Sequence, residues 1–174
     1  MSGPKFKLKI RGSTPSPDRV EAMKRGDILH RALSLLETTG CEDWEKLVRR
    51  AIILEGESPR AWDTGELAAI LESMFIEHGE MLVPEGARVF REQPILLPPE
   101  TGNERVAIPD LVVVKENQAV VVDYKSKKPE SEDTLNAYRN QVNLYLEVVK
   151  EAFGVKEAEG YLLFLTPEPL LEKV

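Results

Sequence analysis

One cysteine, Cys41, among 174 residues excludes a disulfide framework and any site built from thiolates alone, including an iron–sulfur cluster. Such a chain is expected in a reducing, cytoplasmic compartment. No apolar run reaches the roughly 18 residues of a membrane span, and the N-terminus MSGPKFKLKIRG lacks an apolar core of the signal-peptide kind. Positive charge is also short. A net charge of −7 argues against a free-standing, high-affinity nucleic-acid binder, although basic patches beside an acidic, cation-filled site remain compatible with it. There is no internal repeat, no low-complexity tract and no GxxxxGK[ST] phosphate loop. What is present is 42% hydrophobic and 30% charged residues, a globular composition with enough length for one domain and its core.

Residues 1–17 carry four basic residues and then Ser13, Thr14, Pro15, Ser16 and Pro17, which predicts a lead-in or linker before a single domain over 18–174. Asp18 is the expected N-cap of a first helix over 20–37, with Gly26 as its weak point. His30 lies on or beside that helix's apolar face, either as a packed core histidine or as a ligand. A second amphipathic helix is predicted over 44–54. A third is predicted over 62–78, stopped by Gly79, with His78 at the surface. The period then changes. Residues 87–98 read as one strand, with Phe90 and Glu92 on the same face. A long helix follows over 132–153, ended by Gly154, then a buried strand over 159–166 and a short edge strand or turn. This order predicts an α/β protein with a mixed sheet and a crossover helix packed across it.

The informative stretch is 105–128, RVAIPDLVVVKENQAVVVDYKSKK, read as two strands joined by a tight turn near Glu116–Asn117–Gln118. Strand side chains alternate, so Asp123 and Lys125 share one face while Val120, Val122 and Tyr124 share the other. Asp110 falls opposite residue 123, 124 or 125, depending on register. Two carboxylates beside a lysine suit a hard divalent cation that polarises a phosphodiester. Lys125 is placed to stabilise charge on the phosphate or to orient a water. Glu92 is either a solvated strand residue or part of the rim of such a site. Gln141 and Tyr145, four apart on the long helix, could touch substrate or hold the lysine.

The pieces RGDILH with His30, FREQPI with Glu92, IPDLVVV with Asp110, VVVDYKS with Asp123 and Lys125, and YRNQVNLY with Gln141 and Tyr145 follow one another in an order that resembles the PD-(D/E)xK nuclease superfamily. Within it they resemble the RecB/AddA-type nuclease domain that ends UvrD/Rep-like helicase-nucleases. The resemblance implies a restriction-endonuclease-like core, a mixed central sheet flanked by helices, with an N-terminal helical segment. It implies a Mg²⁺- or Mn²⁺-dependent deoxyribonuclease acting in DNA end processing and recombinational repair. His30, Asp110, Asp123 and the carbonyl of Tyr124 would be the metal ligands. Asp110, Asp123 and Lys125 would be catalytic with Glu92 in support, and Gln141, Tyr145 and Lys127 would bind substrate. The implied partners are single-stranded DNA ends and a helicase domain or subunit, with no membrane and no iron–sulfur cluster. Ala107 and Pro109 depart from the family, which often carries a glycine shortly before its first aspartate. The alternative is a nuclease-fold module that docks DNA or protein without turnover.

Overall fold

Side-chain caps set where the helices begin. In a computed structural model, which describes residues 16–37, 41, 43–97 and 105–174, helix α1 spans Pro17–Ser34. Its N-cap is Ser16 rather than Asp18: Ser16 Oγ accepts from the Arg19 amide at 3.4 Å, and Pro17 takes the first helical position, where its missing N–H costs nothing. Asp18 sits in the first turn, where a carboxylate suits the helix dipole. Asp43 and Asp63 cap α2 (Trp44–Leu54) and α3 (Thr64–Leu82) in the same way, each accepting an amide at 2.9 Å. Two expectations are corrected here. Gly79 does not end α3: the helix runs on to Leu82, and a Cβ at Gly79 would lie 3.2 Å from the Phe75 ring. His78 is therefore a helical residue, half-buried, with Nε2 out of contact with solvent and without a hydrogen-bond partner.

The strand expected over 87–98 is two strands in two sheets, β1 (Arg88–Arg91) and β2 (Ile95–Leu97). The break falls at Glu92, whose φ of 48° lies in the left-handed region that costs a non-glycine residue about 1–2 kcal/mol. The first arm of the expected hairpin divides likewise. β3 (Arg105–Ala107) pairs with β2, and β4 (Leu111–Lys115) pairs with β5 (Gln118–Lys125). Pro109 stands in the break, where no ladder amide is required. Pro98, Pro99 and Gly102, which read in the sequence as a turn after residues 87–98, and the basic residues Lys5, Lys7, Lys9 and Arg11 of the lead-in, lie outside the described residues. α4 covers Glu132–Phe153 and ends at Gly154, whose φ of 64° needs glycine. β6 (Glu157–Phe164) and the edge strand β7 (Leu170–Lys173) complete the chain.

The main sheet runs β1-β4-β5-β6-β7, antiparallel except for β5 with β6. α4 is the crossover between those two parallel strands. The period-2 alternation gives the sheet two apolar faces. Val113, Val122, Tyr124 and Leu163 pack against α1, α2 and α3. Val112, Val114, Val121 and Ala119 pack against α4 and the small β2–β3 sheet. The result is the mixed sheet between helical layers that the sequence predicts. One close approach of two elements falls at a glycine. A Cβ on Gly26 would lie 3.2 Å from Ser126 Cβ, so the absence of a side chain there brings α1 against the end of β5 rather than weakening it. Val20 and Met23, placed on the apolar stripe by spacing, are 37% and 58% exposed. Among the described residues no helix is long and apolar enough to cross a membrane.

Candidate active site

The register of the β4–β5 hairpin decides the site. Leu111 pairs with Val122, so one further step places Asp110 opposite Asp123. Asp110 itself precedes β4, so the ladder ends at Leu111, and of the three residues left open by the sequence 123 is the one level with it in this register. Asp110 Oδ2 also accepts the Tyr124 amide at 2.6 Å, fixing its carboxylate across the strand ends. Asp123 is 3% exposed, and Lys125 Nζ lies 2.6 Å from its Oδ2. Oδ2 is buried, and this ion pair with Lys125 is its polar contact among the described residues.

α1 brings His30 to the other side of Asp110. Its Nδ1 is 3.5 Å from Asp110 Oδ1, and its ring stands edge-on to Tyr124, with centroids 5.6 Å apart. Burial pushes the imidazole pKa down, but the Asp110 contact and the charges of Asp110 and Asp123 outweigh burial and Lys125, so it sits above the ordinary value. A raised histidine stabilises the fold fully below about pH 6.5, and the contribution fades as pH rises through the raised value. In the metal-free protein, NMR titration should therefore show His30 titrating above the free imidazole, and Asp110→Asn should bring it down. A wild-type His30 that titrates below about 6.5 would contradict this electrostatic picture.

Lys125 is held from three sides. Besides Asp123, its ammonium donates to Gln141 Oε1 at 3.2 Å and lies 4.4 Å from the centroid of the Tyr138 ring, a cation–π contact. Gln141 Nε2 in turn donates to Tyr145 Oη at 2.8 Å. Asp123, Lys125, Gln141 and Tyr145 thus form one chain from sheet to helix. Burial, then the charge of Asp123, raises the Tyr145 pKa and keeps the phenol neutral.

Glu92 lies on the α1 side, not on the face of Phe90, because the chain turns at its left-handed φ. Its amide donates to the Asp110 carbonyl at 3.0 Å, and its carboxylate meets Arg31 Nη1 at 3.4 Å. Arg31 also holds Glu55 at 2.7 Å. Sequence reasoning does not single out Arg31 or Tyr138. Each has a signal: Arg31 follows His30 directly, and Tyr138 is three residues before Gln141, on one helical face. Lys127 is exposed just beyond β5.

The donor set of two carboxylates, an imidazole and a strand-end carbonyl fits a hard divalent ion, and Asp123 Oδ2 is a buried acceptor whose one cationic neighbour among the described residues is Lys125. Among the described residues no three His, Cys, Asp or Glu side chains gather closely enough to ligate one ion as they stand. A hard cation such as Mg²⁺ is in general held by one or two carboxylates plus water and substrate phosphate rather than by an all-protein cage.

The family model described as the PD-(D/E)XK nuclease superfamily matches residues 3–173. Among curated proteins, an ATP-dependent helicase/nuclease subunit of Clostridium perfringens (strain ATCC 13124) is 26% identical over 196 positions, covering 97% of this chain and 15% of that protein. Its counterpart of the same name from Streptococcus sanguinis is 29% identical over 111 positions, covering 60% of this chain and 9% of its own length. That of Streptococcus mutans is 28% identical over 98 positions, 53% of this chain and 8% of its own. The chain therefore spans about a seventh or less of the relatives it matches.

Proposed function

The chain belongs to the PD-(D/E)XK nuclease superfamily, and from that membership we propose that it is a divalent-metal-dependent deoxyribonuclease module of the RecB/AddA type, working with a helicase domain or subunit on DNA ends in recombinational repair. The observation that carries this reading is the joining of Asp110, Asp123 and Lys125 at one end of the β4–β5 hairpin, with His30 beside them. The relatives are named as helicase/nuclease subunits, which supports the reading of a helicase partner.

Asp110, Asp123 and the Tyr124 carbonyl would hold Mg²⁺ or Mn²⁺, with His30 adjoining. When bound, such an ion polarises the phosphodiester and lowers the pKa of an attached water. The chain's own groups do the rest. Asp110, braced by the Tyr124 amide, keeps its second oxygen turned toward His30. Lys125, immobilised by Gln141 and Tyr138, presents a fixed positive charge to the phosphate oxygens as charge builds on them, a preorganised contribution that needs no rearrangement during reaction. Gln141, oriented by Tyr145, keeps the ammonium from swinging into solvent. Glu92, tied to Arg31 and to the Asp110 backbone, supports the position of Asp110.

The test is cleavage of end-labelled single- and double-stranded DNA with Mg²⁺, Mn²⁺ or EDTA. The wild type should cut with metal and not with EDTA, and Lys125→Ala should lower kcat about 10²–10³-fold, the usual cost of deleting one group that stabilises transition-state charge. Metal-independent cutting, or metal binding without cutting on any substrate, would sink the reading. The second of these outcomes would favour the docking module.

A further inference from the structure

Arg31 follows His30 on α1 and is held by carboxylates from two other elements. Its Nε donates to Glu55 Oε1 at 2.7 Å, at the C-cap of α2. Its Nη1 meets Glu92 Oε2 at 3.4 Å, just past the end of β1. Among the described residues neither carboxylate has a second ion-pair partner. Glu92 in turn donates its amide to the Asp110 carbonyl at 3.0 Å, and Asp110 Oδ1 lies 3.5 Å from His30 Nδ1. His30, Arg31, Glu92 and Asp110 thus close a ring, in which two adjacent residues of one helix end on the same short stretch of strand backbone. The His30–Asp110 contact sits at the long limit of a hydrogen bond. Alone it sets a distance and leaves α1 free to turn about its axis. A second contact, roughly 100° further round the helix, removes that freedom. Glu92 depends on the same contact. Its φ of 48° is one that a non-glycine residue keeps where its surroundings hold it, and here both its carboxylate and its amide are held. A guanidinium spans two carboxylates because its planar fork carries donors on several sides, whereas a lysine is a point charge.

We propose that Arg31 is a positioning residue of this site: by bridging Glu55 and Glu92 it seats His30 against Asp110, and so couples the end of α2 to the strand ends that carry the carboxylates. That the seated pair serves to bind a divalent ion rests on the nuclease reading above. Arg31 itself touches neither Asp110 nor Asp123, and Glu55 acts one step further away, through Arg31.

The experiment follows the full chain by NMR without metal and then by calorimetric titration with Mn²⁺. Without metal, the wild type should show an Overhauser contact between the His30 and Tyr124 rings, which stand edge-on with centroids 5.6 Å apart. Arg31→Met and Arg31→Lys should both lose it. Arg49→Met, which removes a guanidinium paired with Glu45 on the outside of α2, should keep it. Mn²⁺ binding should weaken about 10–100-fold in both Arg31 variants, the usual cost of removing a group that orients a metal ligand, and should be unchanged in Arg49→Met. Glu55→Gln, whose one ion pair among the described residues is to Arg31, should weaken it in the same direction. Combined with Arg31→Met it should add nothing further, as two members of one strut require. Glu55→Gln gives the same two readings if the Arg31 variants do not fold. A ring contact kept in the Arg31 variants or in Glu55→Gln, wild-type affinity in Arg31→Lys, or additive effects of Glu55→Gln and Arg31→Met would overturn the proposal. A wild type that binds no Mn²⁺, with the ring contact still lost in the variants, would overturn the nuclease reading and leave the positioning role of Arg31 standing.

Discussion

Asp123→Asn should give a protein that, without divalent ions, melts at or above the wild-type temperature, yet cuts DNA at least about 10³-fold more slowly. The two effects have one cause. Burial, with the charge of Asp110 added, raises the Asp123 pKa against the pull of Lys125. A carboxyl whose folded pKa is raised favours the fold below its unfolded value near 3.9, and that contribution is lost as pH rises through the raised value. At neutral pH the ionised Asp123 is therefore a cost to the folded state. An amide of the same shape removes that cost, partly offset by the ion pair it takes from Lys125. It also removes the anionic oxygen that the chemistry needs. Differential scanning calorimetry beside a cleavage assay reads both. A large loss of stability, or retained cleavage, would show that Asp123 is a structural ion pair. Active sites that give up stability for reactivity behave in this way.

Gly160→Val should lower stability by about 3 kcal/mol, the upper range for an overpacked core site, and Tm by about 6–12 °C for a domain of this size. Gly160 faces α4 from β6, and a Cβ built there collides with Val142 Cγ1 and comes within 3.0 Å of Leu146. Val142 is fully buried, so the helix must move away as a body. Gln141 is its neighbour and moves with it, which loosens the contact to Lys125. Thermal unfolding followed by circular dichroism checks the first effect. An unchanged Tm would mean that α4 is not seated on β6 as described.

Much of the fold is legible in the sequence because its signals are local. Helices α2 and α4 have the bounds that spacing predicts, since an apolar stripe, the Asp43 cap of α2 and the terminal Gly154 of α4 all act within a few residues of the chain. The strands are less legible. Residues 87–98 alternate well enough for one strand, and nothing local announces that Glu92 adopts a left-handed φ; the turn follows from pairing with Asp110 across the sheet. Gly79 resembles a stop signal because glycine usually serves as one. Here it sits one helical turn after Phe75, whose ring takes the space a Cβ would fill. Gly26 misleads for a different reason, its partner Ser126 being far away along the chain. In the candidate site, the alternation that places Asp123 and Lys125 on one face and the hairpin that brings Asp110 near are readable from period and turn. Which residue faces Asp110 is not, because register is set by the whole sheet.

A divalent-metal centre between α1 and the β4–β5 strand ends is tested most directly by a calorimetric titration of Mn²⁺ into the wild type, Asp110→Ala and Asp123→Asn, each freed of metal beforehand. The wild type should bind saturably, with release of a proton from His30, whose raised pKa favours the protonated ring. Both variants should lose that binding. Wild-type protein that takes up no Mn²⁺, or binding that survives both substitutions, would contradict such a centre.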